Sequence, residues 1–188
     1  MDTVLDRAWT TEGFLAWEDR QEFKYEFDGR RVIPMAGGSI AHQRIVGNLC
    51  MMPLAALGDG GLTAVQQMRL RIGSRVRYPD VAVCAGTLDQ TTRTLTDALA
   101  LFEVLSDDTA TIDRVEKLID YAEVPSLRSY VLLEQTTAAA TLFQRESGGN
   151  WLASVHTAGE LAIPGIDVTL PQADIYRGLD FSESAAIA

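Results

Sequence analysis

Two short apolar runs, YPDVAVCA at residues 78–85 and ALALFEVLS at residues 98–106, each contain a single acidic residue. Runs of this length and composition are typical of central β-strands that are covered on both faces. Asp80 stands near the beginning of the first run and Glu103 inside the second. The chain must therefore fold so that two carboxylates lie in or beside its core.

A buried carboxylate without a partner costs several kcal/mol or more, so each of these acids needs a proton or a cation. In a structural interpretation, Asp80 caps a turn after Pro79, and Glu103 pairs with an arginine of a neighbouring strand. In a functional interpretation, the two acids share a hard divalent cation such as Mg²⁺, which prefers oxygen ligands. The two runs alone leave both interpretations open.

The flanking segments predict a mixed α/β chain. FKYEF and RRVIPM, joined by the Asp28-Gly29 turn, predict a β-hairpin that carries Glu26. One helix is predicted over about residues 40–57, after a Ser39 cap, and another over TIDRVEKLIDYAEV at residues 111–124. The apolar face of the second helix is predicted to contain Ile112, Val115, Leu118, Ile119 and Ala122. SYVLLE, AATLFQRE and WLASVHT predict three more strands, followed by an Ile-Pro-Gly loop and a polar tail.

Four of the sixteen basic residues fall in MRLRIGSRVRYPD, which predicts two neighbouring strands around Gly73-Ser74. A three-residue turn would pair Ile72 with Val76. Three arginines would then share one face, namely Arg69, Arg71 and Arg77. Like charges across a strand pair are destabilising unless an anion lies over them. This hairpin can therefore guide a phosphate backbone toward Asp80, although a solvated polar sheet face is an equally simple interpretation.

His42 and Arg44 lie at the start of the first long helix, where the helix N-terminus favours anions. Phosphate contact and ordinary surface positions both suit them. A net charge of −10 argues against a surface that coats itself with nucleic acid, so any DNA contact must be local. The N-terminus lacks a secretory signal and no apolar run reaches bilayer length, which predicts a cytoplasmic protein without a membrane partner.

Lys117 lies in a polar stripe beside the apolar face of the second helix, four residues from Asp113 and from Tyr121. In the simplest interpretation Lys117 forms an exposed ion pair with Asp113. The helix begins a few residues after the strand that carries Glu103, so the lysine can also reach the acidic pair. An ammonium group there would orient a water molecule and stabilise charge on a phosphate.

Five motifs in this order resemble those of the Uma-two family of restriction endonucleases, within the PD-(D/E)XK nuclease superfamily. The motifs are YEFDG, HQRIVGNL, YPDVAV, FEVLS and DRVEKLIDY, and the resemblance extends from Phe14 to Tyr176. It implies a restriction-endonuclease-like α/β fold with a central mixed β-sheet flanked by helices. We expect a single domain over residues 1–188, with a core at about 14–176 and a flexible tail at 179–188.

The resemblance also implies roles for individual residues. Asp80 would be the acid of the PD element and Glu103 the second acid. Leu105 stands where the superfamily pattern has lysine, and Lys117 is the implied replacement. Glu26 matches an acid that such nucleases supply from an early element as an extra metal ligand or water contact. In the alternative interpretation, Glu26 is a solvated acid of the hairpin that lies opposite Arg31.

The implied activity is Mg²⁺-dependent cleavage of DNA phosphodiester bonds, with Mn²⁺ as a possible substitute. Asp80, Glu103 and Glu26 would hold the ion and, with Lys117, form the catalytic set. The predicted DNA contacts are His42, Arg44, Arg69, Arg71 and Arg77. A homodimer is expected, because cutting both strands generally requires two centres. The alternatives are a catalytically inactive nuclease-like module for binding or oligomerisation, and a hydrolase of a small phosphoester, which suits the acidic surface better.

Overall fold

The computed structural model describes residues 8–35, 37–51, 61–105 and 110–181, which form four helices, two main β-sheets and a separate hairpin. The helices are α1 (Thr11–Glu18), α2 (Ile40–Met51), α3 (Ala110–Ala122) and α4 (Gln172–Ile175). The strands are β1 (Tyr25–Phe27), β2 (Val32–Pro34), β3 (Leu62–Gln66), β4 (Arg69–Ile72), β5 (Arg75–Arg77), β6 (Val81–Ala85), β7 (Thr94–Leu95), β8 (Ala100–Val104), β9 (Ser129–Leu133), β10 (Ala140–Arg145), β11 (Trp151–His156), β12 (Glu160–Ile163) and β13 (Val168–Pro171).

A six-stranded mixed sheet, in the order β11-β10-β9-β8-β6-β3, forms the centre of the fold. β8 runs parallel to β9 and antiparallel to β6, where Val81 faces Phe102. Helix α2 packs Ile45 and Leu49 on the face that contains Phe102. The opposite face, which contains Leu101, packs against residues at the end of α3 and beyond it. The two apolar runs are therefore covered on both faces, and the predicted mixed α/β architecture is confirmed.

A five-stranded sheet, in the order β2-β1-β5-β4-β7, lies beside the first. The predicted hairpin of β1 and β2 is present, with Glu26 opposite Ile33. Each of the two long strands predicted around Gly73 is divided between the sheets, so that β3 and β6 belong to one sheet and β4 and β5 to the other. The first division lies at Gln67, which has a left-handed φ of 46°, and the second at Pro79-Asp80. Asp80 therefore stands where the chain passes from one sheet to the other.

The predicted register of the arginine hairpin is wrong by one residue. Ile72 pairs with Arg75 and Leu70 with Arg77, because the connection is a two-residue turn. Gly73 adopts a φ of 57°, the primed turn geometry that matches the twist of a β-hairpin. Arg77 therefore shares a face with Leu70, and it lies on the opposite side of the strands from Arg69 and Arg71.

The apolar face predicted for α3 is also partly wrong. Val115 and Ile119 are 59% and 57% exposed, whereas Tyr121 and Asp120 are buried. The helix turns its polar stripe inward, because buried charged groups of both sheets pair with that stripe. The side chains of Ile112 and Asp113 lie outside the described part of the chain.

The C-terminal part contains elements that the sequence did not predict. The Ile-Pro-Gly segment lies in a β12–β13 hairpin, which leads into the short helix α4. Leu179 and Phe181 pack against the core, so the first residues of the predicted tail are part of the fold, and 182–188 lie outside the described residues. Helix α2 is described to Met51, and the predicted extension to residue 57 also lies outside the described residues.

Among the helices described, none is long and apolar enough to cross a membrane.

Candidate active site

Asp80 lies between β5 and β6, with its carboxylate beside the end of β8. Its Oδ2 atom accepts a hydrogen bond of 2.8 Å from the backbone N–H of Val104. Only 6% of the residue is exposed. The neighbouring strand thus fixes the position of this acid, as expected for a carboxylate at the inner end of a central strand.

Glu103 projects from β8 toward α3. Its Oε1 atom accepts a hydrogen bond of 2.6 Å from the hydroxyl of Tyr121, and its Oε2 atom lies 3.0 Å from Nζ of Lys117. Burial and the nearby charges of Asp80 and Glu26 together raise the pKa of Glu103 to about 7, against the lowering effects of Lys117 and Tyr121. Glu103 is therefore a buried acid that depends on a cation to remain ionised.

Glu26, on β1, approaches the same lysine from the other sheet. Its Oε1 atom lies 3.5 Å from Nζ of Lys117 and accepts a hydrogen bond of 3.1 Å from the backbone N–H of Tyr78. Its Oε2 atom accepts a hydrogen bond of 3.0 Å from Nη1 of Arg77. Glu26 is buried, so it is not the solvated hairpin acid of the alternative interpretation, and Arg31 pairs with Asp28 instead.

His42, on the first turn of α2, contacts Asp80. The distance from Nε2 of His42 to Oδ2 of Asp80 is 3.1 Å. The hydrogen bond to Asp80 raises the pKa of His42 above its usual range, although burial acts in the opposite direction. The imidazole that was predicted as a DNA contact therefore lies directly beside Asp80.

These side chains line one cavity of about 250 Å³. It brings together Glu26, His42, Asp80, Glu103 and Lys117, which come from four separate elements and from the β5–β6 connection. Three carboxylates thus face the imidazole of His42 and the ammonium group of Lys117 in a small volume. We call this set the acidic centre.

The acidic centre suits a magnesium ion better than a softer metal. Within the described ranges, no group of three or more His, Cys, Asp or Glu side chains is assembled as a ready-made metal site. Mg²⁺ does not need such a cage, because it usually keeps several waters and binds through one or two carboxylates together with substrate phosphates. Asp80 and Glu103 supply two carboxylate donors of this kind, and each already contacts a nitrogen atom of His42 or Lys117. The donor set therefore fits the ion.

The four arginines predicted to contact DNA are all engaged within the protein. Arg44 donates to the backbone oxygen of Gly178 at 2.6 Å, and Arg71 pairs with Glu12 at 2.7 Å. The guanidinium of Arg69 contacts Glu18, Asp19 and the hydroxyl of Tyr78, and that of Arg77 contacts Glu26 and Asp120. The structure brings the predicted acids and Lys117 together, but it does not bring these arginines into the cavity.

Sequence reasoning missed two supporting residues. Tyr121 follows Lys117 by one helical turn and holds the other oxygen of Glu103. Asp120 accepts from Nε of Arg77 at 2.8 Å and so holds the arginine that contacts Glu26. The four-residue spacing from Lys117 to Tyr121 was a signal for the first, whereas no sequence pattern connected Asp120 with a strand of the other sheet.

We expect Gly38→Ala to displace the His42 ring from Asp80. A Cβ atom at residue 38 would lie 2.6 Å from Nδ1 and 2.8 Å from Cγ of His42, so the ring must move. Loss of the hydrogen bond should lower the pKa of His42 toward its ordinary value of about 6.5. NMR titration can measure this, with His156 as the internal reference. Gly37→Ala is the matched control, because its Cβ would meet no atom within 4 Å, and an unchanged His42 titration in Gly38→Ala would contradict the prediction.

The raised pKa of Glu103 predicts how stability depends on pH. The pKa is about 7 in the folded protein and about 4.3 in an unfolded chain, so the folded state binds more protons between these values. The contribution of Glu103 to the free energy of unfolding is therefore largest at low pH. This contribution falls as pH rises and levels off above about 7, a total loss of about 4 kcal/mol. His42, whose pKa is also raised, acts in the same direction.

Urea denaturation of the metal-free protein at mildly acidic and mildly alkaline pH tests this expectation. Glu103→Gln cannot ionise at this position, so this variant should lack the Glu103 part of the pH dependence and keep the His42 part. The same pH dependence in the variant and the wild type would show that Glu103 titrates normally.

Comparison with known proteins extends this picture. A family model named Uma2 and described as "Putative restriction endonuclease" matches residues 11–171. The chain is 32% identical to the uncharacterized protein slr1290 of Synechocystis sp. over 176 residues, covering 90% of this chain and 92% of that protein. It is 31% identical over 158 residues to the uncharacterized protein sll1609 of the same organism, covering 81% and 89%. A crystal structure titled as a putative nuclease belonging to DUF820, from Anabaena variabilis, superposes with a TM-score of 0.75 at 13% identity. That match covers 89% of this chain and 97% of the other, and it shows a shared fold.

Proposed function

Because the chain belongs to the Uma2 family of "Putative restriction endonuclease" proteins, we propose that it is a Mg²⁺-dependent endonuclease that hydrolyses phosphodiester bonds of DNA. The observation that carries the proposal is the convergence of Glu26, Asp80, Glu103 and Lys117 in one cavity. Three of these residues come from two sheets and a helix, and Asp80 comes from the connection between β5 and β6. Their contacts join all four to one another or to His42 and Val104.

The roles of the residues follow from their contacts. Asp80 and Glu103 would hold the divalent ion, which when bound supplies positive charge to the phosphate and acidifies water. Glu26 would accept a hydrogen bond from the attacking water or add an oxygen ligand. Tyr121 fixes one oxygen of Glu103 and thereby orients the other toward the cavity.

Lys117 is the proposed electrostatic catalyst. Its ammonium group lies within 3.0 Å of Glu103 and 3.5 Å of Glu26, at the position where a substrate phosphate would approach the two acids. A fixed positive charge there stabilises the negative charge that develops on the phosphate as the new bond to oxygen forms. Leu105, at the position where the nuclease pattern has lysine, is half-buried against the apolar core. This supports the proposal that Lys117 on α3 takes the role of that lysine.

The direct test is cleavage of plasmid DNA by the purified protein. We expect nicking or cutting with Mg²⁺ or Mn²⁺ and none with EDTA. Calorimetric titration with either ion should show a binding site in the wild type. A protein that cleaves no DNA and shows no such binding would be an inactive module rather than a nuclease.

One observation favours a second candidate, a metal-dependent hydrolase of a small phosphoester. The net charge is −10, and the arginines expected to contact DNA are paired inside the protein. A small substrate would enter the 250 Å³ cavity without needing a long basic surface. Hydrolysis of a chromogenic phosphodiester with no effect on plasmid or duplex DNA would favour this activity.

The proposal includes a cytoplasmic homodimer. A dimer would present one centre to each strand of a duplex, and sedimentation analysis of the purified protein measures its mass directly. A monomer at all concentrations that support double-strand cutting would remove the dimer from the proposal.

A further inference from the structure

A second cavity, of about 420 Å³, opens beside the acidic centre. Four arginines line it, and we define this arginine groove by Arg30, Arg31, Arg75 and Arg77. Arg77 connects the groove with the acidic centre, because its Nη1 atom donates a hydrogen bond to Glu26. Asp120, which also lines the groove, lies one helical turn after Lys117 on α3. The groove and the acidic centre are therefore adjacent, and helix α3 contributes side chains to both.

The acid at the base of the groove is already neutralised. Asp120 lies 3.1 Å from Nε of Arg75 and accepts from Nε of Arg77 at 2.8 Å. Arg75 also pairs with Glu123. These contacts hold the two arginines in place and satisfy the buried carboxylate, so Asp120 does not repel an incoming anion as a free acid would.

The outer arginines are presented on a turn whose backbone is fixed. Asp28 accepts hydrogen bonds of 2.8 and 2.6 Å from the backbone N–H groups of Arg30 and Arg31, and Gly29 supplies the left-handed φ of 91° that the turn requires. Nε of Arg31 pairs with Asp28, but 71% of that side chain is exposed. In the described ranges the guanidinium of Arg30 has no acidic partner. The groove thus carries donors that the protein itself does not use.

We propose that the arginine groove binds backbone phosphates of the nucleic-acid strand that enters the acidic centre. The planar guanidinium presents pairs of N–H donors that match two phosphate oxygens. An acidic protein that binds DNA needs such a local concentration of positive charge, since its overall field opposes the polyanion. The inference rests on the proposed function and deepens it, because a polynucleotide strand carries successive phosphates that would occupy the groove and the acidic centre together.

Binding of a labelled DNA duplex, measured by fluorescence anisotropy in EDTA, tests the groove without any cleavage. The double variant Arg30→Ala/Arg31→Ala should bind about tenfold more weakly at low salt. The slope of log K against log salt concentration should decrease by about 1 to 2, because one or two phosphate contacts are lost. Glu116→Gln removes an exposed acid from the groove wall and should instead strengthen binding severalfold.

Two further variants separate the groove from general charge effects. Arg20→Ala removes an exposed arginine that does not line the groove, and it should bind as the wild type does. Arg30→Lys/Arg31→Lys keeps the charge but loses the paired donors, so it should keep most of the salt slope and lose part of the affinity.

Wild-type affinity and salt slope in the double alanine variant would overturn the inference. Displacement of the duplex by a mononucleotide as effectively as by an oligonucleotide would also overturn it, because the groove would then be a site for small anions.

These outcomes are distinct from failure of the proposed function. A protein that binds duplex through the groove but never cleaves it would lose the catalytic assignment alone, whereas a protein that cleaves DNA while its double variant binds normally would lose only the groove.

Discussion

Asp80→Asn is expected to reduce the rate of plasmid cleavage at least about a hundredfold, the loss typical of removing one electrostatic group from an active site. The amide keeps an oxygen that can accept the 2.8 Å hydrogen bond from Val104, so the fold should persist. The charge, however, is lost, and with it one of the two oxygen donors proposed for Mg²⁺. Calorimetric titration should accordingly show weak binding of Mg²⁺, while the thermal unfolding midpoint changes little.

Asp174→Asn is the matched control for this experiment. Asp174 is a surface acid on α4 that pairs with Arg177 at 2.7 Å, outside the acidic centre. It should retain wild-type cleavage and metal binding. Cleavage by Asp80→Asn at the wild-type rate, with the protein shown to be folded, would remove Asp80 from the reaction and with it the proposed centre.

Arg77→Ala should destabilise the protein more than any other single arginine replacement discussed above. The side chain is only 3% exposed, and it contacts Glu26 at 3.0 Å and Asp120 at 2.7 Å. Removal of one partner from a buried ion pair leaves a buried charge uncompensated and typically costs about 3–5 kcal/mol. Here two carboxylates lose a partner, although Glu26 keeps Lys117 and Asp120 keeps Arg75. Urea denaturation at neutral pH would measure the loss.

The control is Arg71→Ala, on the same hairpin. Arg71 pairs with Glu12 at 2.7 Å, but its side chain is 37% exposed and that of Glu12 is 72% exposed. Such a pair contributes less than about 1 kcal/mol. Adding Glu26→Gln to Arg77→Ala should recover part of the stability, because one of the two carboxylates that lost Arg77 is then uncharged. Equal denaturation midpoints for Arg71→Ala and Arg77→Ala would contradict the importance of the buried network.

The central acids could be identified from the sequence because each lies in or directly beside an apolar run. Both are buried, but only Glu103 lies within a strand, whereas Asp80 lies in the connection before β6. Lys117 was found through the resemblance to known nucleases together with its helical spacing. The ammonium group of Lys117 contacts Glu103. The position of Lys117 on the polar side of a helix that follows β8 could predict this contact.

The errors have physical causes that a one-dimensional pattern does not contain. A two-residue and a three-residue turn both suit Gly73-Ser74, and the choice between them decides which face Arg77 occupies. The orientation of α3 was misjudged because hydrophobic periodicity favours burying Val115 and Ile119. In the structure, ion pairs between Asp120 and β5 keep the opposite, polar side of the helix against the sheets. Long-range charge pairing overrides local amphipathicity here.

The acidic centre contains residues of both sheets, and this has a consequence for stability. Glu26 belongs to the five-stranded sheet and Glu103 to the six-stranded sheet, while Lys117 spans them. Any ligand that contacts both acids therefore binds to both sheets at once and adds to the contacts that hold the two sheets together. Its binding free energy adds to the resistance of the whole chain to unfolding. A change in the angle between the two sheets would, in turn, alter the distance between Glu26 and Glu103.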